Sequence, residues 1–190
     1  MVLILGGARS GKSAMAQRLA DEAGHRVTFV ATAEPGDEEM RRRIEAHKAA
    51  RPDWWRTVEE PIDIDQAAAA AALESDAIVI DCLTVWVSNH LCRLRVAESS
   101  EEWALEIERL ASTLESCASR LVEIARSTEV VLFVVSNEVG LGLVPATPVG
   151  RAYRDLLGAL NRRLAATADK VLLMVAGLPI DVKRLAAEGV

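Results

Sequence analysis

Residues 6–13, Gly6-Gly7-Ala8-Arg9-Ser10-Gly11-Lys12-Ser13, match the G-x-x-x-x-G-K-[ST] spacing at every fixed position and follow directly on the apolar run Val2-Leu3-Ile4-Leu5. The pattern constrains the fold because it demands a strand, a phosphate-binding loop and a helix in that order. Glycines let the backbone take turn geometries that a Cβ would block, so that successive N–H groups converge on an anion. Lys12 supplies a point charge for the β- and γ-phosphates, and the Ser13 hydroxyl is placed to ligand Mg²⁺. The next residues, Ala14-Met15-Ala16-Gln17-Arg18-Leu19-Ala20, have helical periodicity, so a helix N-terminus faces the phosphates.

Continuous apolar runs predict buried parallel strands at Val2–Leu5, Val27–Ala31, Ala77–Asp81, Val130–Ser136 and Lys170–Ala176. Helical patterns lie between them at Ser13–Ala23, Asp37–Ala50, Ile64–Leu73, Glu101–Arg126 and Arg151–Ala166. Strands alternating with helices imply crossover units, and hence an α/β fold with a doubly wound, largely parallel sheet. With 190 residues and 51% hydrophobic content, the chain is expected to form a single domain over residues 1–190.

The 22 basic and 28 acidic residues give a net charge of -6, and no basic block stands out, which argues against nucleic acid as a partner. Cys82, Cys92 and Cys117 are odd in number and lack C-x-x-C spacing, so they read as small buried hydrophobes in a reducing compartment. The first apolar run begins at residue 2, leaving no room for a signal peptide, and no apolar stretch reaches the ~18 residues of a membrane span. The expected location is the cytoplasm.

Ligands of doubly wound sheets bind at the carboxyl ends of the strands. That rule selects the phosphate loop, Thr32-Ala33-Glu34, Asp81-Cys82-Leu83-Thr84 and the segment from Asn137 to Pro145. Asp81 ends an apolar run where phosphate-loop proteins place the carboxylate of the Mg²⁺ shell; a plain strand cap is the alternative. Asn137-Glu138 followed by Gly140-x-Gly142 suits either an ordinary loop or a moving substrate loop. His47 continues the stripe of Met40 and Ile44, which predicts that it faces the protein body. Such a histidine is either a core residue or a nucleophile. Arg51-Pro52 stops its helix, and Lys48 and Arg51 suit both an anion site and a helix C-terminus.

Taken together, the phosphate loop, Ala31-Thr32-Ala33, Glu39-Met40, Arg43-Ile44-x-x-His47, Arg51-Pro52-x-x-Trp55-x-Thr57-x-Glu59 and Asn137-Glu138-Val139-Gly140-x-Gly142-x-Val144-Pro145 resemble the bifunctional adenosylcobinamide kinase / adenosylcobinamide-phosphate guanylyltransferase family. Tyr153-Arg154-Asp155-Leu156, Asn161, Leu164-Ala165, Ala168-Asp169 and Gly177-Leu178-Pro179 extend the likeness over nearly the whole chain. The resemblance implies a RecA-like P-loop NTPase fold assembled as a homotrimer. It implies phosphorylation of adenosylcobinamide by ATP or GTP in cobalamin biosynthesis, then GMP transfer from GTP to adenosylcobinamide phosphate. His47 aligns with the histidine that carries GMP, and Lys12 serves as the second catalytic group. Nucleotide contacts map to Gly6, Gly7, Ala8, Arg9, Ser10, Gly11, Lys12, Ser13, Thr32, Ala33, Glu34, Lys48, Ala49, Ala50, Arg51, Glu59 and Asp81, with Ser13 and Asp81 at the metal. Two alternatives stand beside this: a P-loop small-molecule kinase without guanylyl transfer, and a RecA-type nucleotide-sensing or assembly protein. For the trimer, Trp54 and Trp86 are expected to be exposed apolar groups available for a subunit contact.

Overall fold

Apolar side chains on both faces of a strand must be covered on both sides, and four runs of this chain meet that condition as neighbours in one sheet. A computed structural model describes residues 1–49, 51–94 and 99–189. In chain order the elements are β1 (Val2–Gly6), α1 (Lys12–Ala23), β2 (Val27–Ala31), α2 (Glu38–Ala49), β3 (Arg56–Glu59), α3 (Ile64–Ala71), β4 (Ala77–Asp81), α4 (Leu83–Cys92), α5 (Ser100–Ser127), β5 (Val131–Val135), α6 (Pro148–Thr167), β6 (Lys170–Val175), β7 (Leu178–Asp181) and α7 (Val182–Glu188). The sheet order is β3-β2-β4-β5-β1-β6-β7, with every pairing parallel except β6 with β7.

Alternation along each strand separates two apolar layers. Leu3, Val30, Ile78, Ile80, Leu132 and Val134 join the layer built with α3, α4, α5 and α6, whereas Ile4, Phe29, Val79, Phe133 and Val135 pack with Met15, Ala16 and Ala20 of α1. The α/β class and the five expected strands are therefore present. Four elements go beyond expectation: β3, α4, β7 and α7. Strand β3 is a polar edge with no apolar run, so periodicity could not mark it. Helix α4 did carry a helical signal in Leu83, Trp86, Val87 and Leu91, all of which are buried.

Helix ends follow local chemistry. Ser99 accepts a hydrogen bond from the Glu102 amide at 3.1 Å, so the 28-residue α5 begins on a side-chain cap. Helix α6 begins three residues before the expected Arg151, because Thr147 caps it and Pro148 suits its first turn. Helix α3 ends at Ala71, two residues short of the expected Leu73.

Two exposure expectations are corrected. Trp86 is 1% exposed rather than on the surface, since its indole N–H reaches the Ile62 carbonyl at 2.6 Å and its ring fills the layer between sheet and helices. Trp54, by contrast, is 55% exposed. Of the cysteines, Cys117 is buried and Cys82 partly so, but Cys92 is exposed at the end of α4, on the helix face opposite the core stripe.

Candidate active site

The loop between β1 and α1 takes left-handed backbone geometry at Gly6 (φ 147°), Arg9 (φ 56°) and Gly11 (φ 92°). At Gly6 the requirement is also steric, because a Cβ would lie 2.6 Å from the Met174 carbonyl oxygen and 2.7 Å from Ser10 Oγ. Lys12 folds back and donates to the Gly7 carbonyl, spanning the loop. It is 8% exposed, and burial lowers its pKa against the opposing pull of Cys82 and Asp81. Ser10 Oγ is buried without a hydrogen-bond partner in the same loop. An orphaned hydroxyl and a buried ammonium in one glycine loop make a surface that an anionic group completes.

Asp81 stands at the carboxyl end of β4, registered between Ala31 of β2 and Val135 of β5. Burial raises its pKa, opposed by a hydrogen bond from Ser13 and by the charges of His47, Arg51 and Lys12. Ser13 thus hydrogen-bonds this carboxylate, and the positive side chains of Lys12, His47 and Arg51, from α1, α2 and the following turn, act on it electrostatically. Ser13 and Asp81 offer adjacent oxygen ligands, and among the described residues no group of three or more His, Cys, Asp or Glu could hold a metal alone. This donor set suits Mg²⁺, which is commonly held by one or two carboxylates together with substrate phosphates and waters.

His47 departs from expectation. It is exposed, not turned into the body, although its charge reaches Asp81. The reason is that α2 lies along the rim: Met40 and Ile44 are half-buried, and the helix has no fully buried residue among those described. The amphipathic stripe therefore marks a half-buried face instead of one packed in a core.

Beyond His47, Lys48 pairs with Glu59 of β3. Arg51 stacks 3.6 Å over the Phe29 ring and donates to Thr57 Oγ1 at 3.3 Å, and burial lowers its pKa against the pull of Asp81 and Glu59. A cavity of about 350 Å³ opens here, lined by Lys48, Arg51, Pro52, Asp53, Trp55, Thr57 and Glu59. Arg51 Nε and Trp55 Nε1 are buried donors without partners at this place. Ala49 ends α2 and is exposed, while Ala50 lies outside the described residues.

The segment after β2 divides. Thr32 is fully buried, and its hydroxyl accepts from the Cys82 amide at 2.8 Å and donates to the Cys82 carbonyl at 2.9 Å. Asn89 Nδ2 donates to the Thr32 carbonyl at 2.8 Å. Thr32 thus joins the ends of β2 and β4. Ala33 is half-buried, and Glu34 is exposed and paired with Arg93 at 3.1 Å.

After β5, the Asn137 amide donates to Thr84 Oγ1 at 2.8 Å, Asn161 Nδ2 donates to the Asn137 carbonyl at 2.9 Å, and the Glu138 amide donates to the Gly6 carbonyl at 3.2 Å. The sequence marks Thr84 only as part of the segment that ends β4, and Asn89 and Arg93 not at all. Their partners are backbone groups or a distant carboxylate, which spacing does not reveal.

A glycine loop with lysine and serine at a helix start, with a carboxylate at the carboxyl end of the parallel strand one removed from β1, defines a P-loop NTPase fold. Its relatives narrow the class. A family model described as cobinamide kinase / cobinamide phosphate guanyltransferase matches residues 2–182. The chain is 42% identical over 186 residues to the bifunctional adenosylcobalamin biosynthesis protein CobP of Pseudomonas aeruginosa, covering 95% of this chain and 96% of that protein. It is 37% identical over 192 residues to the bifunctional adenosylcobalamin biosynthesis protein CobU of Salmonella typhimurium, covering 96% and 99%. This chain belongs to the cobinamide kinase / cobinamide phosphate guanyltransferase family.

Proposed function

We propose that the chain, acting as one domain, phosphorylates the aminopropanol hydroxyl of adenosylcobinamide with ATP or GTP and then converts the product to adenosylcobinamide-GDP with GTP. The observation that carries this reading is the glycine loop holding Lys12, with Ser13 hydrogen-bonded to Asp81 and the charges of His47 and Arg51 acting on that carboxylate, supported by family membership. In the kinase step, the acceptor hydroxyl oxygen attacks the γ-phosphorus, the bond to the β-phosphate oxygen breaks, and the hydroxyl proton is released. Lys12 and the loop amides hold the phosphates in line and offset the charge that develops. In the second step a His47 imidazole nitrogen attacks the α-phosphorus of GTP and pyrophosphate leaves. An oxygen of adenosylcobinamide phosphate then attacks the same phosphorus, breaking the P–N bond and freeing His47.

Ser13 and Asp81 would hold Mg²⁺, which when bound neutralises phosphate charge. The Lys48–Glu59 pair and Arg51 surround the cavity next to His47, which suits them to the triphosphate or base of the GMP donor. The Asn137–Pro145 loop frames the acceptor side, since its first residues join the phosphate loop and its tip leaves Leu141 and Leu143 exposed. A homotrimer fits the exposed apolar side chains of Trp54, Leu178 and Leu185. No helix among the described residues is long and apolar enough to cross a membrane.

The test is the position of label. Protein incubated with Mg²⁺ and GTP labelled at the α-phosphorus should retain covalent label that is lost in acid and stable in alkali, and γ-label should leave none. His47→Ala should abolish labelling and GMP transfer while retaining adenosylcobinamide phosphorylation. Undiminished α-labelling in that variant would remove His47 from the mechanism; loss of GMP transfer from the wild-type protein would leave a kinase alone.

A further inference from the structure

Helix α6 turns Leu156, Leu157, Leu160 and Leu164 into the apolar layer, and Asn161 shares that buried face at 4% exposed. A leucine there would complete the stripe, and the asparagine leaves its Oδ1 buried without a partner. Such a group costs stability in a core. What it provides is the Nδ2–H donor to the Asn137 carbonyl. On the other side of the same peptide segment, the Asn137 amide donates to Thr84 Oγ1 from α4. Two side chains from two helices therefore grip both backbone polar groups of one residue, and the following amide, Glu138, is tied to the carbonyl of Gly6 in the phosphate loop. Past this anchor Val139 still packs against the apolar layer, residues 140–144 are exposed, and Arg151 Nη1 then fastens the Pro145 and Ala146 carbonyls.

We propose that Asn161, with Thr84, is a positioning residue for transfer to the acceptor: the pair fixes where the Asn137–Pro145 loop leaves the sheet relative to the bound phosphates. The inference rests on the reading that this loop frames the acceptor. Neither side chain touches substrate; each acts through the Asn137 backbone. Releasing one anchor lets the loop drift on the scale of an ångström, which costs about ten- to a hundredfold in an in-line transfer, while leaving the phosphate loop and its nucleotide in place.

The test compares Asn161→Leu, Thr84→Val and Thr84→Ser in the full chain, with adenosylcobinamide as acceptor and a non-hydrolysable ATP analogue as the binding probe. Asn161→Leu should melt at or above the wild-type temperature and bind the analogue within about twofold of wild type, yet lose about ten- to a hundredfold in kcat/KM for adenosylcobinamide. Thr84→Val should lose turnover in the same way, and Thr84→Ser, which keeps the hydroxyl, should stay near wild type. Wild-type turnover in Asn161→Leu overturns the proposal, as does a loss matched by equal losses of nucleotide affinity and melting temperature. Should Asn161→Leu fail to fold, the contrast between Thr84→Val and Thr84→Ser decides: equal turnover overturns the proposal, and loss in the valine variant alone supports it. A wild-type protein that binds nucleotide but cannot phosphorylate adenosylcobinamide overturns instead the functional reading beneath it.

Discussion

Lys12 shows how a single side chain can serve chemistry at the expense of stability. Its ammonium is buried against the loop, so its pKa is lowered, and the folded state carries the desolvation of a charge whenever the amine is protonated. That penalty is present at neutral pH and is relieved only as pH rises through the lowered pKa. Lys12→Ala should therefore leave the melting temperature unchanged or higher, while both transfer steps fall by about 10²–10³-fold, as expected for loss of one charge-stabilising donor. Thermal melts and paired assays for phosphoryl and GMP transfer check this. A normal rate in either step would detach the loop from that reaction. Asn161 repeats the pattern in a different place, with an orphaned carbonyl oxygen in an apolar stripe.

At the level of elements, the connections decide which small residues matter. Gly24, between α1 and β2, has an extended φ of 178° that any residue can adopt. Its constraint is space: a Cβ there would sit 2.3 Å from Asp76 Cβ, near the backbone and unable to swing away. Gly24→Ala should thus destabilise the fold by about 1–3 kcal/mol through overpacking. Gly158 is the opposite case, exposed inside α6 with nothing within 4 Å of a built Cβ. Gly158→Ala should stabilise by up to about 1 kcal/mol through helix propensity. Urea unfolding of the two variants beside wild type measures both, and a shift of the same sign in both would refute the distinction.

For the whole molecule, the carboxylate that closes the start of β4 sets part of the acid response. Asp76 accepts hydrogen bonds from the Arg26 side chain and from the amides of Arg26 and His25, which hold its pKa down to about 2 from its ordinary 3.8. A depressed carboxylate pKa gives stability that is present above 3.8 and disappears as pH falls through about 2. Asp76→Asn should lower stability near neutral pH and flatten the decline of stability between pH 4 and 2. Denaturant titrations at stepped pH would read both effects. An unaltered acid slope in the variant would assign that decline to other carboxylates, such as Asp169 at the N-terminal amine.

The amino-acid order alone determined the five principal strands, the phosphate loop and the placement of Asp81 at a strand's carboxyl end, because these depend on local pattern: continuous apolar runs and fixed glycine spacing. The polar edge β3 and the short β7–α7 tail had no such signal, and their pairing partners are what make them elements. Periodicity put Met40, Ile44 and His47 on one face but could not say what that face meets; only the path of α2 along the rim exposes His47 and brings its charge to Asp81. The same limit holds for Thr32, whose hydroxyl is committed to Cys82 fifty positions away, and for Asn161, whose partner is the Asn137 carbonyl. Local propensity acts between near neighbours in the chain, whereas a site is defined by which distant groups share a small volume, and that is decided when the helices pack on the sheet.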